Sequence, residues 1–439
     1  MKKGIWILTI FVIMTSLFAR DLRFVGKVQS AMKGDRFGST VVPAGDVNND
    51  GFTDILICSE GSYTTQNYPG KVYLYLGSNR TPKDPAVVFV GERPGDHFGV
   101  SAVALGDING DGFDDIAIGA DKNDDNGTDA GKVYIFFGGK KMDNKPDVTI
   151  LGERTNDWFG ASIAGGYDFN GDGKKDILIG APYAGRKYSG IVYLYLGGED
   201  FSKPAFTLVG EHSGDSYGTE VAALGDVTGD GTPDFAVSSV YADVNNINDA
   251  GIVYVYAGGS VISKKPVAKF SGKVAREQMG YTISNPGDLT GDGINDILIG
   301  APGGGPGGMG VAYIFAGGTS IHNEPVRSYI GSHKNSLFGN SVSSAGDFNS
   351  DGITDIMVGA PYTDAGHYHA GRVEFYAQGK NPPIESIYQL NGTSEESQCG
   401  FCVAYIPNFF GKNDPLYAIT WAGPGSGNID ISEVHFYRK

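Results

Sequence analysis

Six stretches of the sequence place three aspartates at the same offsets, in the pattern Asp-x-Asn/Thr-x-Asp-Gly-x-x-Asp. Positions 1, 3, 5 and 9 are Asp46, Asn48, Asp50 and Asp54 in the first copy, and Asp107, Asn109, Asp111 and Asp115 in the second. The third and fourth copies have Asp168, Asn170, Asp172 and Asp176, then Asp226, Thr228, Asp230 and Asp234. The fifth and sixth have Asp288, Thr290, Asp292 and Asp296, then Asp347, Asn349, Asp351 and Asp355. Position 7, which offers a backbone carbonyl, is Phe52, Phe113, Lys174, Thr232, Ile294 or Ile353. Oxygen ligands spaced along one loop, with Gly at position 6 to permit a sharp turn, are what a hard cation such as Ca²⁺ requires. Each copy is a candidate calcium site, giving up to six.

EF-hands share this opening but need a bidentate Glu at position 12 and flanking helices. Position 12 here is Ile57, Ile118, Ile179, Val237, Ile299 or Val358, inside apolar runs too short and too β-branched for a helix. The loops therefore join strands. Asp, Asn and Gly also form metal-free turns by bonding to their own backbone, but six turns holding 6 × 3 = 18 of the 50 acidic residues crowd carboxylates without an offsetting charge. Six Ca²⁺ would add +12 and bring the formal charge from -16 to -4. The acidity thus belongs to the loops. It excludes nucleic acid and anionic membranes as partners, since neither attracts an acidic surface.

The elements that must hold these loops are legible from a second marker. An aromatic or equivalent residue followed by Gly recurs at Phe37-Gly38, Phe98-Gly99, Phe159-Gly160, Tyr217-Gly218, Met279-Gly280, Phe338-Gly339 and Cys399-Gly400, with spacings of 61, 61, 58, 62, 59 and 61. A period of about 60 residues gives seven units. In each unit the marker leads into a small-residue strand, the Asp loop, an apolar strand, a variable loop, a Gly-led aromatic strand, a second variable loop and a closing strand. Four short strands per repeat without helical periodicity predict an all-β, seven-bladed β-propeller. The seventh unit stops at its third strand, near residues 433–437, while residues 22–26 carry an orphan closing-strand pattern and are expected to complete that blade. The seventh unit has lost the carboxylate ladder: Asn408, Lys412, Asn413 and Asp414 stand in its place, and Ala422-Gly423-Pro424 ends its second strand.

The content of Gly 68, Tyr 24 and Phe 24, with 41% apolar residues, fits a turn-rich strand protein with a packed core. Lys2, Lys3, the apolar run over residues 5–18 and Ala19 read as a signal peptide over residues 1–19, cleaved after Ala19. That run falls short of the ~20 residues that span a bilayer, and no second long apolar segment leaves a membrane span after cleavage. Residues 20–439 are expected as one exported domain, secreted, at the cell surface or in a periplasm, where calcium is plentiful. Three cysteines rule out a full disulfide framework. Cys399 and Cys402 have the spacing of a pair or a redox motif, and Cys58 reads as a buried small hydrophobe.

The Phe-Gly markers, the Asp-x-Asn-x-Asp-Gly loops and Gly-Ala-Pro at residues 180–182, 300–302 and 359–361 together resemble the FG-GAP repeat family, which builds the seven-bladed propeller head of integrin α chains. The resemblance covers essentially all of residues 20–439. It implies Ca²⁺ between the first and second strands of a blade, and partners on the opposite face, around the Phe-Gly and Gly-Ala-Pro connections. Six intact loops exceed the usual integrin head, and no β-sandwich domains or membrane span follow them. The expectation is a protein- or glycan-binding, adhesion-type module outside a membrane heterodimer.

Other constellations offer less. Gly214-Asp215-Ser216-Tyr217-Gly218 matches a nucleophile elbow, but by repeat position it is the marker of the fourth unit. Two residues after each marker Gly stand Thr40, Ser101, Ser162, Glu220, Thr282, Ser341 and Cys402, expected to ring a central channel with small polar groups. Glu220 is the one carboxylate of that ring, whereas glycoside hydrolysis typically uses two. His367 and His369 lack a third metal ligand. The variable loops carry Tyr63, Tyr68, Tyr183, Tyr188, Tyr241, Tyr362 and Tyr368, a residue type suited to protein and glycan contacts. Asn126 and Asn391 sit in glycosylation sequons. No catalytic set converges, so the chain reads as a binding protein rather than an enzyme. The alternative is an enzyme acting on an extracellular polysaccharide at the channel mouth through Glu220, and a structural coat component is a third reading.

Overall fold

The computed structural model describes residues 21–30, 32, 34–61, 68–198, 201–422 and 431–439, with backbone only at 431. The signal-peptide expectation, Tyr63 and Gly423-Pro424 lie outside the described residues. Twenty-eight strands form seven four-stranded antiparallel sheets, and no helix occurs among the described residues. This is the seven-bladed β-propeller that the 60-residue period predicts.

Blade two shows the order. Phe98–Gly106 is innermost, Asp115–Ala120 second, Lys132–Phe136 third and Val148–Leu151 outermost. Each second strand in the first six blades is buried along its whole length, as in Asp54–Ser59 and Asp176–Ala181. A strand sandwiched between two neighbouring sheets has no solvent face, so its sequence runs apolar instead of alternating. The core accordingly lies between blades. Ile55 and Ile57 pack toward Ile406, Leu416 and Phe436 of blade seven, while Leu56 and Cys58 pack toward Ile116 and Ile118 of blade two.

The marker pairs lock neighbouring blades. The marker ring meets the third-strand tyrosine of its own blade edge-on, with centroids 5.2 Å apart for Phe37 and Tyr73, 5.2 Å for Phe98 and Tyr134 and 5.5 Å for Phe159 and Tyr193, while the marker Gly packs on the blade before. Gly160, at φ +88, shows why the second marker residue is Gly: an added Cβ would stand 2.9 Å from Val133 Cγ2 of the preceding blade.

Ring closure follows the expectation. Arg23–Gln29 pairs antiparallel with Ile431–Arg438, from Arg23 opposite Arg438 to Gln29 opposite Glu433. The strand runs to Gln29 rather than stopping near residue 26, because its partner in blade seven is 8 residues long where third strands elsewhere have 5. Lys27 Nζ and Glu433 Oε1, 2.6 Å apart, fasten the extension.

Candidate functional site: aspartate loops and the channel face

Each Asp loop closes the hairpin between the innermost and second strands, and position 9 is the first residue of the second strand. It pairs with a residue just before position 1 across a β-bulge, as Gly45 with Asp54 and Gly106 with Asp115. All six position-9 aspartates are fully buried. In Asp54, Oδ2 accepts from Val47 N at 3.0 Å and Oδ1 from Gly77 N at 2.8 Å. Asp115 does the same with Ile108 N and Gly138 N, Asp176 with Phe169 N and Gly197 N, and Asp234 with Val227 N and Gly258 N. Asp296 and Asp355 complete the series with Leu289 N and Gly317 N, and with Asn349 N and Gln378 N. One carboxylate therefore pins the loop to the end of the third strand.

The exposed positions repeat equally closely. Position 1 accepts from the N–H groups of positions 5 and 6, as Asp46 does from Asp50 (2.9 Å) and Gly51 (2.8 Å). Position 5 accepts from the N–H of position 7, as Asp111 does from Phe113 at 3.0 Å, and Asn at position 3 donates to position 5, as Asn170 to Asp172 at 3.0 Å. Loop also meets blade: Gly139 N donates to Val47 O, Gly259 N to Phe169 O and Gly318 N to Val227 O, each at 2.8 Å.

The fold thus brings the five positions of each loop together, but with the carboxylates turned onto backbone N–H groups. Among the described residues no three acidic, His or Cys side chains converge as a ready ligand set. The donor chemistry nonetheless fits a hard dication. Burial, with Asp50 and Asp46 adding to it, pushes the Asp54 carboxyl up to about 7. Burial likewise raises Asp115, Asp176 and Asp355 to about 6 and moves Asp234 and Asp296 upward. None of the described salt bridges reaches these aspartates; in the third loop the Asn170 hydrogen bond, with Lys174 beside it, holds Asp172 below the usual carboxylate range. In the seventh blade Leu416 takes the second-strand place of the buried Asp, and a tight turn pairs Gly411 with Asp414.

The model of the FG-GAP repeat matches residues 37–75, 99–136, 159–195, 279–315 and 338–373, five of the seven blades. The chain carries five FG-GAP repeats. Its relatives include integrin alpha-5 of Xenopus laevis, 29% identical over 277 residues, which covers 58% of this chain and 26% of that one. Integrin alpha-E of Mus musculus is 33% identical over 168 residues, covering 36% of this chain and 14% of that one. Phosphatidylinositol-glycan-specific phospholipase D of Bos taurus is 34% identical over 171 residues, covering 36% and 20%. The chain spans about a quarter of the first relative's length and less of the others. The crystal structure of BBS1N in complex with ARL6DN shares the fold at a TM-score of 0.53 and 9% identity, over 95% of this chain and 96% of that one.

Along the axis of the FG-GAP propeller the innermost strands enclose a channel cavity of about 650 Å³, which runs from Arg36 and Glu60 at the end opposite the Asp loops to Tyr167 and Asn285 near the loops. All seven residues expected in its ring line it. Most have structural work: Ser101 Oγ donates to Gly160 O at 2.7 Å, Ser162 Oγ to Gly218 O at 2.9 Å and Thr282 Oγ1 to Gly339 O at 3.4 Å, each the marker carbonyl of the next blade. Glu220 breaks the series. Among the described residues nothing bonds its side chain, and burial raises it to about 8.

Sequence reasoning missed the residue before each marker. Arg36, His97, Trp158, Ser216, Gln278, Leu337 and Gln398 all hold φ between 45 and 57, a left-handed conformation that costs on the order of 1 kcal/mol or more in a non-glycine residue. Their varied chemistry at a fixed offset from a constant marker was the available signal. Trp158 lies 4.2 Å from the Tyr183 ring with Lys122 Nζ 4.7 Å over it, and Arg36 NH1 pairs with Glu60 at the channel mouth. Tyr188, Tyr241 and Tyr368 are exposed as the loops predict, whereas Tyr68 is buried against Ser59 Oγ. His369 stacks on Tyr368, and Ser216 is buried in its turn. Cys58, Cys399 and Cys402 are free thiols; Cys399 Sγ points to Leu390 O and Cys402 Sγ to Val41 O, on opposite sides of the blade.

Proposed function

We propose that this FG-GAP propeller is an exported binding module, held by calcium in up to six Asp loops, that engages a protein or glycan on the face carrying the channel mouth. Asp, Asn or Thr side chains at positions 1, 3, 5 and 9 and the position-7 carbonyl would hold each ion, which supplies charge compensation to three crowded carboxylates. The residues' own task is to fasten the loop to the third strand and to the neighbouring blade. The observation that carries the binding reading is the contrast between the two ends. One end spends its polar groups on repeated internal hydrogen bonds, while the other displays Trp158, Tyr188, Tyr241, Tyr281 and Tyr368 on loops of unequal sequence. Aromatics on a rigid scaffold bind at low entropic cost. The relatedness to integrin α chains supports an adhesion-type role outside the cell. Glu60 joins Glu220 at the channel, yet it is spent on Arg36, which favours binding over paired-carboxylate hydrolysis.

The test is capture of extracellular proteins and glycans on the immobilised mature chain, in calcium and in chelator. A retained partner lost in the Tyr188→Ala, Tyr241→Ala double variant supports the reading. Shortened glycan products with nothing retained overturn it.

A further inference from the structure

The channel carries two unmet demands on opposite walls. On blade four the Glu220 carboxyl, half-buried, has no hydrogen-bond or ion-pair partner among the described residues. On blade one, three places around the seven-membered ring and so across the channel, Arg36 Nε and Ser39 Oγ are buried without a partner among the described residues, while Arg36 NH1 holds Glu60. Between them stands Tyr281, close enough to feel the charges of Arg36, Glu60 and Glu220, with Phe401 and Asn340 also lining the mouth. A buried donor or acceptor left unpaired costs about 1–3 kcal/mol, so such groups commonly mark a ligand or ordered water. The volume, about 650 Å³, lies in the range of small-molecule sites.

We propose that the channel binds a small organic cation bearing an anionic end, such as a basic α-amino acid. Its ammonium or guanidinium group pairs with Glu220, and its carboxylate accepts from Arg36 Nε and Ser39 Oγ. The walls fix this polarity. Arg36 and Glu60 neutralise each other, so once a bound cation draws the proton from Glu220 its carboxylate is the one uncompensated charge among the lining residues, and the cationic end dominates. Tyr281, which feels the charge of Glu220, offers an aromatic ring to the cation, while the Phe401 ring lies under the Arg36 guanidinium. Ser101, Ser162 and Thr282 already donate to marker carbonyls and Ser341 Oγ accepts from Val403 N, so a neutral polyol would find few free partners on this wall.

The experiment is isothermal titration of the mature chain in calcium with L-arginine and with agmatine, which lacks the carboxylate. Both should bind, L-arginine the more tightly. Glu220→Gln should weaken both about tenfold or more, as loss of a charge-assisted pair does. Ser39→Ala should weaken L-arginine several-fold and leave agmatine unchanged. Because burial raises Glu220 to about 8 and holds it largely protonated, with Tyr281 the titratable group that feels its charge, binding at pH 7 should also release protons, seen as a heat that varies with buffer. No heat from either amine at millimolar concentration, or equal binding by a Glu220→Gln variant that melts no lower than the parent, overturns the proposal. Binding of a blocked arginine tripeptide as tightly as free arginine overturns the role given to Arg36 and Ser39. None of these results bears on the capture of partners by the outer loops.

Discussion

Asp176 separates what an Asp loop does for the fold from what it does for a metal. Without metal its carboxyl is buried, accepts from Phe169 N and Gly197 N, and is raised by burial from 3.8 to about 6. Because the folded value lies above the unfolded one, the contribution of this group to stability is full below pH 3.8 and is lost as pH rises through about 6. Two units correspond to about 3 kcal/mol of penalty on the charged form at pH 8. Asp176→Asn removes that charge but turns an amide NH₂ toward one of the two N–H groups, at a cost of about 1–3 kcal/mol. In chelator the two effects nearly cancel, and the variant should unfold within about 1–2 kcal/mol of the parent. In calcium the parent gains on the order of 2.7 kcal/mol per loop at a hundred times Kd, and the variant forfeits it. Asp172→Asn, at an exposed position, should lose the same calcium increment while costing under about 1 kcal/mol in chelator. The assay is urea unfolding at pH 8, with and without calcium. An Asp176→Asn loss of equal size in both buffers would refute the assignment of the loop to a metal.

Three further outcomes follow from the structure. Glu220→Gln should flatten the fall in stability between pH 5 and 8, gaining about 1–2 kcal/mol at pH 8 after allowance for solvent screening, read from denaturation midpoints across that range. Gly160→Ala should lower the melting temperature, since φ +88 and a Cβ 2.9 Å from Val133 Cγ2 together cost about 2 kcal/mol or more, whereas Gly139→Ala, with open space around its Cβ, should not. Ile57→Ala should destabilise by about 2–5 kcal/mol in urea, because Ile57 is wholly buried between blades one and seven.

Architecture was legible because repetition multiplies weak signals. One Phe-Gly pair says little, but seven at one period define the blade, and the orphan strand near residue 22 and the short seventh unit required each other. The loops were legible as chemistry, since Asp at fixed offsets is a donor set, but their resting geometry was not. The sequence does not say that Asp54 spends both oxygens on Val47 and Gly77, because Gly77 is brought there by the third strand. Glu220 stood out by breaking a column of small hydroxyls. Arg36 and Glu60 did not, because their meeting at the mouth depends on how blade one's variable loop folds back. Tyr68 was misread for the same reason: a loop tyrosine turned inward once Ser59, in place of the Ala found at Ala120 or Ala181, offered its hydroxyl a partner.

The seam of the ring has a consequence for the order in which the molecule is made. Arg23 and Arg438 are neighbours in one ladder, so the first strand to leave a ribosome or a translocation pore has no partner until the last one arrives. Six blades can assemble in sequence as they emerge, each contributing its own loop, while the seventh waits for both ends. Until then the chain is an open arc exposing the unpaired flanks of its first and last sheets, the state most prone to aggregate. It is also the state in which a chaperone has most to shield.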